Sequence, residues 1–222
     1  MQQTPAHEKH NDTLLKSIPN NSVNLIEIGC SSGALGREFK KINPACLYDG
    51  VEIHPEYVEL AKRYLDNVYL GNIEDFGDQF FQDNSSRDCW IFGDTLEHLK
   101  SPENVLRKIR SVIPSNGSVC SCIPNMQFWE IQARLSVGDL RYSDSGLLDR
   151  THLRWFTRNT IIELFEGSGF KIVSGIPIEV HSPNAGKYLA AIKNMVIAVG
   201  GDLDSAMKDA EIYQFVLRAI PV

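Results

Sequence analysis

The chain has no excess of basic charge. Its 22 Lys and Arg residues face 28 Asp and Glu residues, a formal net charge of -6. The basic stripe on which non-specific nucleic-acid binding depends is missing, so no nucleic-acid partner is expected. No apolar run approaches the ~20 residues that a membrane-spanning helix needs, so no membrane partner is expected either. The first twenty residues are polar, with His7, Glu8, Lys9, His10 and Asp12, and lack the apolar core of a secretory signal. Cysteines are few and odd in number: Cys30, Cys46, Cys89, Cys120 and Cys122. They do not suggest a disulfide framework and read as the reduced thiols of a cytoplasmic protein. Cys120 and Cys122 have no second Cys or His pair nearby and read as core. Repeats and low-complexity linkers are absent too.

What is present is an ordinary globular composition, 43% hydrophobic and 23% charged over 222 residues. That suits one domain over residues 1–222 with a full core. Strand patterns at 23–28, 46–53, 67–70, 87–93, 118–123 and 170–177 alternate with helical ones at 34–41, 55–64, 102–112 and 157–167. A last strand is expected at 212–220. The alternation predicts an α/β fold: a doubly wound, mostly parallel seven-stranded sheet with one antiparallel strand near its edge. Residues 1–22 form an N-terminal segment. Residues 124–156 break the rhythm and read as an insertion or lid over the crevice at the carboxyl ends of the strands.

The most informative stretch is LIEIGCSSGALG, residues 25–36. A buried strand runs into a glycine-bearing turn and then a helix. Gly29 allows a sharp turn and close approach of a ligand, and Gly33 removes a side chain where the helix starts. Glu52 ends the next strand, just before Ile53, where an acid accepts hydrogen bonds from both hydroxyls of a ribose. A simpler reading makes Glu52 a helix-proximal acid beside Pro55. Dinucleotide binding wants G-x-G-x-x-G. Here Cys30, Ser31 and Ser32 fill the gap, which suits a ligand without phosphates. Glu27 is an acid inside an apolar strand. Burying it unpaired is costly, so it is expected to reach a loop N–H or a ligand's ammonium.

With these residues the chain resembles the class I S-adenosylmethionine-dependent methyltransferases, whose fold is Rossmann-like. LIEIGCSSGALG is similar to their first motif, and Glu52 to their ribose-binding acid. LGNIEDF, residues 70–76, resembles the segment that contacts adenine. That match implies that Asn72 meets the exocyclic amine and that Ile73 offers its backbone N–H. FGDTLEHLKSPENVL, residues 92–106, resembles the fourth-strand motif and implies that Gly93, Asp94 and Thr95 lie beside the methionine part of S-adenosylmethionine. Cys30 and Ser31 stand where a second glycine is common, and Asn72 where Asp is usual. The alternative for Asp94 is a helix N-cap for residues 96–99.

On the acceptor side, GLLDRTHLRWFT, residues 146–157, gathers Asp149, Arg150, His152 and Arg154. It resembles a bacterial methyltransferase subgroup often joined or adjacent to glycosyltransferases, in which Pro124-Asn125 would precede the acceptor helix. That subgroup often has a His soon after; here Gln127, Phe128 and Trp129 occupy the stretch. His152 is the candidate base, since imidazole titrates near neutrality, and Asp149 the candidate to orient it. The competing reading pairs Asp149 with Arg154 and sets His152 on a loop carbonyl. His98 is explained as well by capping and packing, and His54 as a turn residue near the ribose. Asp94, Asp139, Asp144 and Asp149 make no close-spaced metal set, so no metal is expected. Phe128, Trp129, Tyr142, Trp155 and Phe156 either stack an acceptor ring or form core. The expectation is methyl transfer to a small-molecule or glycan-type acceptor, O-methylation favoured. A nicotinamide-dependent oxidoreductase and a non-catalytic cofactor-binding domain are the rivals.

Overall fold

The computed structural model describes residues 8–222, so the first seven residues of the polar N-terminal segment lie outside it. Seven strands form one sheet: β1 (Asn24–Ile28), β2 (Leu47–Glu52), β3 (Val68–Leu70), β4 (Cys89–Gly93), β5 (Ser118–Pro124), β6 (Phe170–Glu179) and β7 (Ile212–Pro221). Their order is β3-β2-β1-β4-β5-β7-β6. The first five are parallel, and β7 runs antiparallel between β5 and β6. This is the expected doubly wound, mostly parallel seven-stranded sheet with one antiparallel strand near its edge.

The sheet is covered on both faces because its central strands are apolar on both. Ile26, Ile28, Trp90 and Phe92 point to one side, where they meet α4 (Asp78–Asp83), α5 (Pro102–Val112) and α7 (Arg158–Glu166) through Phe81, Leu106, Ile109 and Phe165. Leu25, Tyr48, Cys89 and Ile91 point to the other. There α1 (Asp12–Ser17), α2 (Ala34–Ile42) and α3 (Pro55–Ala61) supply Leu14, Phe39 and Ala61. Alternation along each strand sends neighbours to opposite faces. A third cluster joins α6 (Trp129–Ser136), α8 (Ala185–Ala198), α9 (Leu203–Glu211) and Leu147 and Leu148 of the insertion.

Two helices went unread in the sequence. α4 is six residues long. α1 starts where the Asn11 side chain accepts from the N–H groups of Thr13 and Leu14, and it buries Leu14. Between β6 and β7 the chain forms two helices, α8 and α9.

Candidate active site

Strand order reverses between β1 and β4, and a crevice opens beyond their carboxyl ends as such a switch point requires. Its volume is about 440 Å³, within the ~300–1,000 Å³ of small-molecule sites. At one end stands the turn after β1, where Gly29, Ser31 and Gly33 all have positive φ. The N–H groups of Gly29 and Cys30 both donate to the Val51 carbonyl, at 2.8 and 3.1 Å. Ser31 N–H donates to Glu52 Oε2 at 2.9 Å, while Ile53 and His54 N–H donate to Oε1 at 2.8 and 3.0 Å. One carboxylate thus ties the turn after β1 to the turn after β2. Three of its roughly four acceptor positions are taken by main chain.

Several neighbours differ from the sequence reading. A Cβ on Gly29 would lie 2.7 Å from Thr95 Oγ1, so the missing side chain makes room for Thr95, while the Gly29 backbone borders the crevice. The Thr95 hydroxyl donates to the Ile28 carbonyl at 2.8 Å and straps β4 to β1. A Cβ on Gly33 would crowd Ala61 of α3, so that glycine serves helix packing. Cys30 borders the crevice, yet its thiol packs against Gly50 and its N–H is spent on Val51. Glu27 reaches no loop N–H; it accepts the buried Tyr48 hydroxyl at 3.0 Å. Burial pushes its carboxyl up to about 8, opposed by the Tyr48 hydrogen bond and reinforced by Glu52. Asn72 lines the crevice, but its Oδ1 caps the 3-10 turn Ile73–Asp75 by accepting Glu74 N–H. Ile53, Ile73 and Leu99 supply apolar wall. Asp94 has φ 53° and accepts from Gln214 Nε2. Thr95, not Asp94, occupies the cap position of the next turn, Leu96–His98.

The opposite end is built differently. Glu97 is 1% exposed, and neither carboxylate oxygen has a hydrogen-bond partner. Burial first, then Asp94, hold its carboxyl well above the usual range. Its main-chain carbonyl accepts Leu153 and Arg154 N–H at 2.8 and 3.0 Å, pinning the insertion to the β4 turn. His152 Nε2 lies 3.9 Å from Glu97 Oε1, and its Nδ1 lies 3.2 Å from the Leu147 carbonyl. His98 Nδ1 lies 3.2 Å from the Thr151 carbonyl and 3.1 Å from Thr151 Oγ1. The two rings meet edge to face at 4.8 Å. Burial lowers both imidazoles, His152 to about 4 with the help of His98. Asp149 was expected to orient His152. Its Oδ1 accepts the Thr151 N–H and hydroxyl, at 2.8 and 2.7 Å, and its charge acts on both imidazoles, His152 and His98. The Asp149–Arg154 pair does not form: Arg154 donates to the Lys100 carbonyl, and Asp144 takes Arg150. The sequence offered no close-spaced metal set, and the fold brings together a different group of residues from those it weighed. Glu97, His98 and His152 each bring a ligand atom within 4.8 Å of the others.

Comparison with known proteins now bears on this geometry. The sequence matches a family described as a methyltransferase domain over residues 3–175. The chain belongs to that family. It is an S-adenosylmethionine-dependent methyltransferase. No curated protein sequence matches it. Among solved structures it is similar to magnesium protoporphyrin IX methyltransferase from Synechocystis PCC 6803 with bound S-adenosylhomocysteine, at 12% identity and TM-score 0.60, covering 95% of this chain and 79% of that one. It is also similar to the plantazolicin methyltransferase BpumL in complex with S-adenosylhomocysteine, at 16% identity and TM-score 0.60, covering 94% and 79%. The cyclase SpnF is as near, at 16% identity and TM-score 0.60, covering 95% and 79%. Likeness at this level shows the fold alone.

The methyltransferase crevice includes residues the sequence reading passed over. Lys9, His10, Asn11 and Leu14 border it from the start of α1, and Tyr213 and Gln214 from β7. Asn11 ahead of Leu14 and Leu15 was the available signal, since Asn is a favoured cap. Of the aromatics, Phe128, Trp129 and Phe156 are buried core. Tyr142 and Trp155 are exposed and stack on each other. His54 stands at the N-terminal boundary of α3 without a side-chain cap bond and packs on Tyr57. All five cysteines are free and buried, as core thiols should be. Among the described residues no helix is long and apolar enough to cross a membrane.

Proposed function

We propose that this methyltransferase moves the methyl group of S-adenosylmethionine to an oxygen of a small-molecule or glycan-type acceptor. The observation that carries this reading is the division of the crevice into two chemically different ends. In this reading Glu52 and the turn at Gly29 hold the ribose and the amino-acid tail. Glu27 is a buried acid with no cation among its hydrogen-bond partners, and the cofactor's ammonium would supply the counter-charge. Ile53, Ile73 and Leu99 would flank adenine, with Asn72 at its edge, and Asp94 and Thr95 would border the methionine part. Cys30 and Gly33 would contribute main chain and packing only.

The cofactor supplies an activated methyl group; the chain supplies orientation and charge. Glu97, His98 and His152 face the acceptor. His152 is uncharged at neutral pH and acts only through Nε2, because Nδ1 is engaged by the Leu147 carbonyl. Asp149 steadies the loop through Thr151. The 124–156 insertion is the lid. The Leu-Asp-Arg-Thr-His run supports a place beside glycosyltransferase chemistry, and the lack of an apolar span supports a cytoplasmic setting. A thermal-shift comparison tests the cofactor reading. S-adenosylhomocysteine should raise Tm and NAD should not. A shift with NAD alone would favour hydride transfer instead.

A further inference from the structure

The acceptor end contains a carboxylate whose burial the protein does not balance. Both oxygens of Glu97 lack a hydrogen-bond partner at 1% exposure, and a buried acid without a partner is costly in either protonation state. Asp94 and Asp149 add negative charge around it. The two imidazoles beside it have a defined tautomer. Thr151 Oγ1 gives its only proton to Asp149, so it and the Thr151 carbonyl are both acceptors toward His98 Nδ1. His98 Nδ1 therefore carries the proton. The Leu147 carbonyl imposes the same on His152. In both rings Nε2 is left with its lone pair. A metal-binding histidine has this arrangement, with its other nitrogen donating to a carbonyl or carboxylate.

We propose that Glu97, His98 and His152 bind a divalent first-row transition cation at the acceptor end of the crevice. One carboxylate and two imidazoles favour Mn²⁺, Co²⁺ or Zn²⁺ over Ca²⁺, which wants oxygen ligands throughout. Ligand atoms ~2.1 Å from a common ion lie within about 4 Å of one another. From the observed 4.8 Å, closure needs only small side-chain shifts. Three protein ligands leave coordination positions open toward the crevice, where an acceptor hydroxyl can bind and become more acidic. This role rests on the methyl-transfer reading. The hydroxyl proton passes to water and the acceptor oxygen forms its bond to the methyl carbon. The carbon–sulfur bond breaks with its electron pair left on sulfur, giving S-adenosylhomocysteine. His152 is then a ligand rather than the base.

The test uses the full chain, stripped with EDTA and desalted, and titrated with Mn²⁺ alone while the free-ion paramagnetic resonance signal is followed. S-adenosylhomocysteine binding is measured separately by calorimetry. The expected result is one Mn²⁺ per chain, with Glu97→Gln and His152→Asn each weakening it at least ~10-fold and leaving the circular-dichroism melt and S-adenosylhomocysteine affinity near wild type. If one variant does not fold, the other carries the comparison. A wild-type chain that binds S-adenosylhomocysteine but not Mn²⁺, or folded variants that bind Mn²⁺ as tightly as wild type, would overturn the site. Mn²⁺ binding without S-adenosylhomocysteine binding would support the metal site and overturn the methyl-transfer reading.

Discussion

The two ends of the crevice hold acids of similar burial and opposite standing. Glu52, 3% exposed, accepts three main-chain N–H groups and has its negative charge spread over two turns. Glu97, 1% exposed, accepts none with its side chain. The first acid belongs to a site finished by the fold itself, ready for a neutral, hydroxyl-bearing group. The second belongs to a site that only a bound species completes.

The sharpest way to break this contrast is at His152. His152→Ala removes a proposed ligand of the acceptor-end site; it should lower turnover at least ~10-fold and leave S-adenosylhomocysteine affinity unchanged, as read by single-turnover transfer beside calorimetry. A parallel loss of Tm, affinity and rate would mean that the imidazole merely props the insertion on Leu147.

A smaller effect is expected at Glu27. Its folded pKa of about 8 lies above the ordinary 4.5, so between those values the folded chain holds a proton that the unfolded chain has released. Stability therefore falls as pH rises from about 4.5 and levels off above about 8. The loss is on the order of a few kcal/mol. Thermal melts of the cofactor-free protein across that range should show it, and Glu27→Gln should flatten the curve. Saturating S-adenosylhomocysteine should also flatten it, through its ammonium. A wild-type curve no steeper than that of the variant would remove Glu27 from the account.

The smallest effect concerns the strap across β1 and β4. Gly29→Ala sets a Cβ against Thr95 Oγ1 at a positive φ, and should cost about 1–3 kcal/mol of stability by chemical denaturation. Thr95→Ala in the same chain should recover part of the clash, a non-additivity expected of touching residues. Full additivity would show that the two do not meet.

The end of the crevice proposed for the cofactor was legible in the sequence because it is local. Strand, glycine turn, helix and the acid at the next strand tip lie within 25–53, and each states its purpose through φ requirements and apolar runs. What the sequence hid there was the partner of each group: Thr95 against Gly29, Gly50 against Cys30, Tyr48 on Glu27. These are contacts between neighbouring strands, set by sheet register. The acceptor end was read only in part. His152 stood out, but Glu97 and His98 read as a capping turn, and only folding brings the distant 149–154 loop onto them. The short helices α1 and α4 escaped because six residues give too few turns for a period to emerge.

The central claim is that the finished end of the crevice binds the cofactor through Glu52. Calorimetric titration of S-adenosylhomocysteine into wild type and Glu52→Ala measures it directly. The account predicts one site per chain, and a loss in the variant of at least ~1.5–3 kcal/mol, the worth of one charge-assisted hydrogen bond. Tm should fall as well, since the Ser31, Ile53 and His54 N–H groups lose their acceptor. No binding to wild type, or equal affinity in a folded variant, would contradict it.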